Sequence, residues 1–205
     1  MPIIIFSLIV LLFSIITHEI AHGSVAYQLG DPTAKYAGRL TLNPLKHLDP
    51  FGSVILPILL LIFTLGQGPI FGWAKPVPIN PYNFRDQKWG TLKVAIAGPA
   101  MNFLIAIVFS LMIRFLTLPQ NFSILFGIVA IYNFAWGIFN LVPIPPLDGS
   151  HILFRFLPER FSEIRFFLQQ YGLFILIFFI FMGLKWVFFG AMSLYSLFSN
   201  QPFVI

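Results

Sequence analysis

The chain has 205 residues, of which 58% are hydrophobic and 9% charged, with no cysteine and a formal net charge of +5. A soluble domain is about one-quarter charged, so this composition excludes a water-exposed globule and requires most of the surface to face lipid. The lack of cysteine excludes thiolate metal sites, cysteine nucleophiles and disulfides, and the basic excess lies in loops between apolar spans, where it reports membrane orientation and not nucleic-acid binding.

The length suits one integral-membrane domain over 1–205, with a core over 1–158 and a C-terminal helical region over 159–205. The first apolar span runs from Ile3 to Leu29 and stops at Gly30-Asp31-Pro32, as a Gly–Pro pair dictates. No basic residue precedes it and no small-residue cleavage site follows, so it is expected to be a retained helix and not a cleaved leader. Lys35–Leu42 alternates in part and predicts a small strand or hairpin. Phe51–Leu65 is apolar but near the lower limit for spanning. Gly72–Pro81 contains Pro76, Pro78 and Pro81, which rules out helix and predicts extended chain.

Charge-free spans follow over Val94–Ile113 and Phe122–Val142. The chain then breaks over Pro143–Gly149, continues through a short apolar piece (Ile152–Pro158) and a charged loop (Glu159–Arg165), and enters a further span over Phe166–Leu184. Trp186–Phe198 either extends that helix or lies at the interface. The expected fold class is an all-α polytopic membrane protein with about five to six transmembrane helices and a small β-hairpin or extended re-entrant segment.

Suppose Phe51–Leu65 leads out and the Pro-rich segment returns. The loops around 30–50, 75–93 and 155–165 then share one side. They hold ten of the 12 Lys and Arg residues, leaving Arg114 and Lys185 for the other. That asymmetry makes the basic side cytoplasmic and points the N-terminus outward.

His18-Glu19-Ile20-Ala21-His22 matches H-E-x-x-H within the first span. On a helix the two imidazoles share one face and can bind one zinc ion, and the adjacent Glu can take a proton from water at that metal. Ionisable groups inside an apolar span are costly and need a partner, which a metal supplies. A catalytic zinc usually takes three protein ligands. Candidates for the third are Asp31, His47, Asp49, Asp86, Asp148, His151, Glu159 and Glu163. Sidedness places Asp148 near the level of the HEIAH residues, although it also suits an N-cap for a helix beginning near Ser150. His47 and Asp49 read as loop residues, and His151 as a polar interface residue.

HEIAHG, LNPLKHLDPFG, GWAKPVPINPYNFR, AGPAMN and FNLVPIPPLDG occur in that order. Together they closely resemble the site-2 protease family of intramembrane zinc metalloproteases, over about Ile3 to His151. The resemblance is to compact prokaryotic members without PDZ or CBS domains. It implies zinc, one ion per chain, on His18, His22 and Asp148, with Glu19 as catalytic base. It also associates Asn140 with the active site, where an amide can donate to an oxyanion; an interhelical hydrogen bond is the alternative. Asn102 reads as packing glue, with Gly98 and Ala100 allowing close helix approach. Gly72–Pro81 is expected to offer a strand edge to an extended substrate.

The activity implied is zinc-dependent endoproteolysis of transmembrane segments. The implied partners are a membrane-protein substrate, the lipid bilayer and, where cleavage is gated, a regulatory membrane protein. The implied location is the prokaryotic plasma membrane, multi-pass, with the site toward the cytoplasm. The alternatives are a non-proteolytic zinc-binding or transport protein and an inactive membrane scaffold.

Overall fold

The computed structural model describes residues 2–63 and 74–203. In chain order the helices are α1 (Pro2–Gln28), α2 (Thr33–Tyr36), α3 (Leu56–Phe63), α4 (Gly90–Phe115), α5 (Gln120–Leu141), α6 (Asp148–Phe156) and α7 (Ser162–Ser199). Among the described residues α1, α4, α5 and α7 are long and apolar enough to cross a membrane. That is fewer than the five to six expected.

The difference lies in two places. The apolar run from Phe51 is a π-helical turn, Pro50–Ile55, followed by the eight residues of α3. That helical run reaches Phe63, where the described residues stop, and is not among the four apolar helices above. The end of that run, Thr64 and Leu65, lies outside the described residues, as do Gly72 and Trp73 of the Pro-rich segment. The second difference is at the C-terminus. The expected fifth span and the apolar tail are one continuous 38-residue helix, α7.

The hairpin expected over Lys35–Leu42 does not form. The N–H groups of Ala37, Gly38 and Arg39 bond back to Thr33, Lys35 and Ala34, which closes a helical turn and leaves none of them for a ladder. Gly38 sits at φ +65, a conformation that only glycine adopts easily. The described residues contain no sheet, only an isolated antiparallel bridge between Leu48 and Ala74. The extended reading of the Pro-rich segment holds for its described part, which runs without helix or strand from Lys75 to Asn80.

Small residues set the packing. Ala106 of α4, Ala130 and Ala135 of α5 and Ala191 of α7 are buried around Phe134, so three helices close on one aromatic ring. The outer face of α7 presents Phe174, Phe178 and Phe181, spaced to form one stripe that lipid must cover. Without a hydrophobic drive between helices in lipid, polar links carry added weight. Asn102 of α4 supplies them: its Nδ2 donates to Ser14 O of α1 at 3.0 Å and to Asn133 Oδ1 of α5 at 2.9 Å.

The end of α1 is fastened to the extended segment by one carboxylate. Asp31 is fully buried and accepts from the Thr33 N–H and hydroxyl, from the Asn80 N–H at 2.7 Å and from Asn83 Nδ2 at 2.8 Å. Burial pushes the Asp31 carboxyl up, but bonds from Thr33, Asn80 and Asn83 outweigh it and hold the pKa below the usual carboxylate value. The group thus stabilises the fold fully above its unfolded pKa of about 4, and that contribution is lost as pH falls through the lower folded value. Asp31→Ala is expected to cost about 3 kcal/mol, because buried donors lose their acceptor. In thermal unfolding of detergent-solubilised protein, Asp31→Asn is expected to be less stable at neutral pH and to lose less than wild type on acidification; equal stability of the two at neutral pH would contradict the assignment.

Candidate active site

His18 and His22 are one helical turn apart on α1 and buried, 3% and 6% exposed, so their rings meet inside the bundle. Their Nε2 atoms are 3.0 Å apart. Asp148 reaches the same point from the start of α6, with Oδ2 at 3.0 Å from His18 Nε2 and 3.1 Å from His22 Nε2. The break after α5 makes this possible. Gly149 is packed so closely beneath the Leu141 carbonyl that any side chain there would collide with it. The alternative reading of Asp148 as an N-cap is not what forms: α6 starts at Asp148 itself and has no side-chain cap.

The second ring nitrogens determine what the first can do. Asn133 Nδ2 donates to the Val129 carbonyl, which turns Asn133 Oδ1 toward Asn102. Asn102 Nδ2 is therefore the donor to Asn133, and Asn102 Oδ1 is left facing His18 Nδ1 at 2.7 Å. The proton of neutral His18 must lie on Nδ1. His22 Nδ1 faces the Val94 carbonyl at 2.7 Å, so its proton is placed the same way. Two bare Nε2 lone pairs and a carboxylate oxygen then point at one another, a group of donors all within 4.8 Å. Such a cluster is repulsive unless a cation sits among the three.

The donor set is chemically suited to zinc. Nitrogen and carboxylate ligands at about 2.0–2.1 Å in a tetrahedron lie about 3.3 Å from one another, close to the spacing here. Carbonyl or amide acceptors on the outer ring nitrogens are the usual means of orienting metal-bound histidines. The cradle is also closed on one side by bare backbone. A Cβ on Gly98 of α4 would lie 2.6 Å from His18 Nε2 and equally near its Cε1, so only glycine lets α4 approach both rings.

Glu19 is adjacent to His18 and points to a different partner. Its Oε2 accepts from the Val77 N–H at 2.8 Å, and Oε1 accepts no bond among the described residues. The other end of that same peptide group, Pro76 O, accepts from Arg39 Nη2 at 3.1 Å, and Lys75 O accepts from the same nitrogen at 2.7 Å. Arg39 also donates to Lys46 O. Only 7% exposed, its guanidinium is solvated by these carbonyls and pairs with no carboxylate among the described residues. The extended segment is thus pinned between a buried cation and the carboxylate of Glu19.

The other candidate ligands are occupied elsewhere. Asp31 is the clamp described above. Asp49 accepts from the Phe51 and Gly52 N–H groups. Asp86 accepts from the Trp89 N–H and pairs with Lys93 at 2.6 Å. His47 is buried and donates from Nε2 to Thr41 O. His151, Glu159 and Glu163 are exposed. Asn140 is buried in α5, and its Nδ2 donates to the Trp136 carbonyl one turn back.

Some contributors to the site carry little or no mark in the sequence. Asn102 is packing glue, as expected, but it also orients His18. A signal existed in AGPAMN: Asn102 lies four residues from Gly98 and so shares the helix face pressed against the ligands. Nothing in sequence marked Arg39, or Trp136, whose ring stands edge-on to His18 with centroids 6.3 Å apart. Its buried Nε1 has no hydrogen-bond partner among the described residues.

Residues 117–183, which include Asp148 but not HEIAH, match the model of Peptidase family M50. Over 171 residues the chain is 40% identical to “Putative zinc metalloprotease YwhC” of Bacillus subtilis, covering 77% of this chain and 70% of that protein. The chain belongs to peptidase family M50, the site-2 proteases. It is also 32% identical over 140 residues to “Putative zinc metalloprotease Rip2” of Mycobacterium tuberculosis and 30% identical over 159 residues to “Zinc metalloprotease MJ0392” of Methanocaldococcus jannaschii. Those matches cover 67% and 77% of this chain, but 52% and 36% of the relatives. No solved structure matches. The M50 chain described here is therefore a multi-pass membrane protein of a zinc metalloprotease family, and its metal is zinc.

Asn102→Ala is expected to weaken zinc binding about 10–100-fold by releasing the His18 ring, measured by chelator competition on purified protein. Gly98→Ala is expected to lower zinc content per chain, read by elemental analysis, because its methyl group would occupy space held by both imidazoles. Wild-type zinc affinity in both variants would remove the case for this cradle.

Proposed function

We propose that this M50 protein is an intramembrane endopeptidase that cuts a transmembrane segment of another membrane protein, in the manner of regulated intramembrane proteolysis. The observation that carries the reading is the convergence of His18, His22 and Asp148 beside a glutamate fixed by the Val77 N–H. A zinc carrier or an inert scaffold has no use for that carboxylate. His18, His22 and Asp148 would hold one zinc. Zinc in such a site makes water nucleophilic at neutral pH and polarises a carbonyl oxygen.

Glu19 is assigned the role of general base. The Val77 N–H holds Oε2 and leaves Oε1 to take a proton from the attacking water. As the C–N bond breaks, the same carboxyl returns that proton to the leaving amine. Asn140 has a second amide hydrogen beyond the one given to Trp136 O, and Trp136 has an unused indole N–H. Both are candidates for the developing oxyanion.

The strand-edge role of the Pro-rich segment acquires a condition. The N–H groups of Lys75, Val77 and Asn80 already serve His47 O, Glu19 and Asp31, and Pro76 and Pro78 have none. A substrate strand therefore pairs with this segment away from the Val77 N–H, which stays on Glu19 Oε2, and uses the Ile79 N–H or the free carbonyls. The charge asymmetry of the loops supports a plasma-membrane orientation with the site toward the cytoplasm.

Glu19→Gln is expected to retain zinc and to lose cleavage of a single-span substrate by about 10²–10⁴-fold, measured after reconstitution into liposomes. Asp148→Ala is expected to lose zinc and activity together. Full activity in Glu19→Gln would eliminate this mechanism.

A further inference from the structure

We propose that a second site, on the outer side of α6, binds a phosphate group of the kind carried by an anionic phospholipid headgroup or a soluble phosphate ester. The site is a cleft of about 560 Å³ between the start of α4, α6 and the start of α7. That volume is in the range of small-molecule sites. Lys88, His151, Arg155 and Arg165 line it, and no Asp or Glu does. Among the described residues none of these side chains forms an ion pair; the one Lys or Arg pair is Lys93 with Asp86.

Arg155 carries the inference furthest. It is half-buried, with its guanidinium carbon 4.2 Å from the Trp89 ring centroid, and its Nε is buried without a hydrogen-bond partner. Its Nη groups, not enclosed like Nε, make no hydrogen bond among the described residues either, and they are the donors a phosphate in the cleft can reach. Arg165 is likewise steadied over Phe154, at 5.3 Å. Guanidiniums backed by aromatic rings are pre-oriented, and their forked donors match the oxygens of phosphate. Three permanent positive charges on one cleft favour phosphate, with its several oxygens and up to two charges, over a single carboxylate.

The positive-inside bias accounts for basic residues on this side of the membrane. It does not account for seating Arg155 against Trp89 or for gathering the charges around one cavity. Placement suits a lipid source in particular. Phe166 and Phe167, next to Arg165 on α7, are 67% and 52% exposed and offer an apolar wall to acyl chains. Anionic lipid of the cytoplasmic leaflet is drawn to such basic surfaces. This inference does not depend on the protease reading, because the site shares no side chain with the zinc cradle.

The test uses the full chain, purified in delipidating detergent, with native mass spectrometry against phosphatidylglycerol and phosphatidylcholine. Wild type is expected to keep phosphatidylglycerol in preference. Arg155→Gln and Arg165→Gln are each expected to weaken it about tenfold or more, with zinc content unchanged. Arg165 and Lys88 are exposed positions, so Arg165→Gln and Lys88→Gln carry the test if Arg155→Gln fails to fold. Inorganic phosphate added as competitor separates the sources. Displacement of the lipid extends the site to soluble phosphate esters, and retention of an arginine-dependent lipid adduct makes lipid the occupant. Equal retention of both lipids without phosphate binding, lipid binding indifferent to all three substitutions, or binding of an acidic peptide in place of any phosphate compound would overturn the proposal.

Discussion

Three electron-rich atoms converge in the interior of this protein, and that convergence is what the rest of the structure serves. His18 Nε2, His22 Nε2 and Asp148 Oδ2 are 3.0–3.1 Å apart, with both histidine protons committed on the far side of the rings. In a low-dielectric interior such an arrangement is stable only around a cation. A zinc ion held there would join two parts of the chain that lie 126 residues apart, and would couple the packing of the core to the binding of the metal.

The helix bundle is shaped by the same requirement. Gly98 lets α4 lie against both imidazoles, the Val94 carbonyl holds His22, and Asn102 holds His18 while tying α1 to α5. Structural and ligand-orienting roles are inseparable in Asn102, because Nδ2 makes both interhelical bonds and that leaves Oδ1 facing His18. Around the C-terminal end of α1 a second set of buried polar groups, Asp31 and Arg39, holds an extended chain that helix geometry cannot hold. Asp31 binds its N–H groups and Arg39 its carbonyls. Irregular backbone at this depth is tolerated only when its polar groups are satisfied in this way.

Legibility in the sequence followed the range of the interaction. Helix face and metal chemistry were readable at His18, Glu19 and His22 because a four-residue spacing is local. The approximate place of Asp148 came from counting sides of the membrane, and the resemblance assigned its role. The Lys35–Leu42 strand failed because its apolar residues share no buried face, with Tyr36 and Leu42 exposed and Arg39 drawn inward, and the backbone closes a turn. The continuity of α7 was ambiguous because Lys185 interrupts an apolar run that a long helix can carry beyond the bilayer. Arg39 and Trp136 left no trace, since a lone Arg in a loop and a lone Trp in an apolar span are ordinary.

The sequence by itself determined that the chain lives in lipid, that α1 carries a pair of imidazoles with an acid beside them, and that the chain resembles a protease family. Those follow from composition, from a spacing within one turn, and from motifs in order. Tertiary structure alone decided how Asp148 meets the imidazoles, which ring nitrogens carry protons, and what holds Glu19. Each depends on contacts between residues 58 to 126 positions apart, and no local pattern encodes a contact made when separate helices dock.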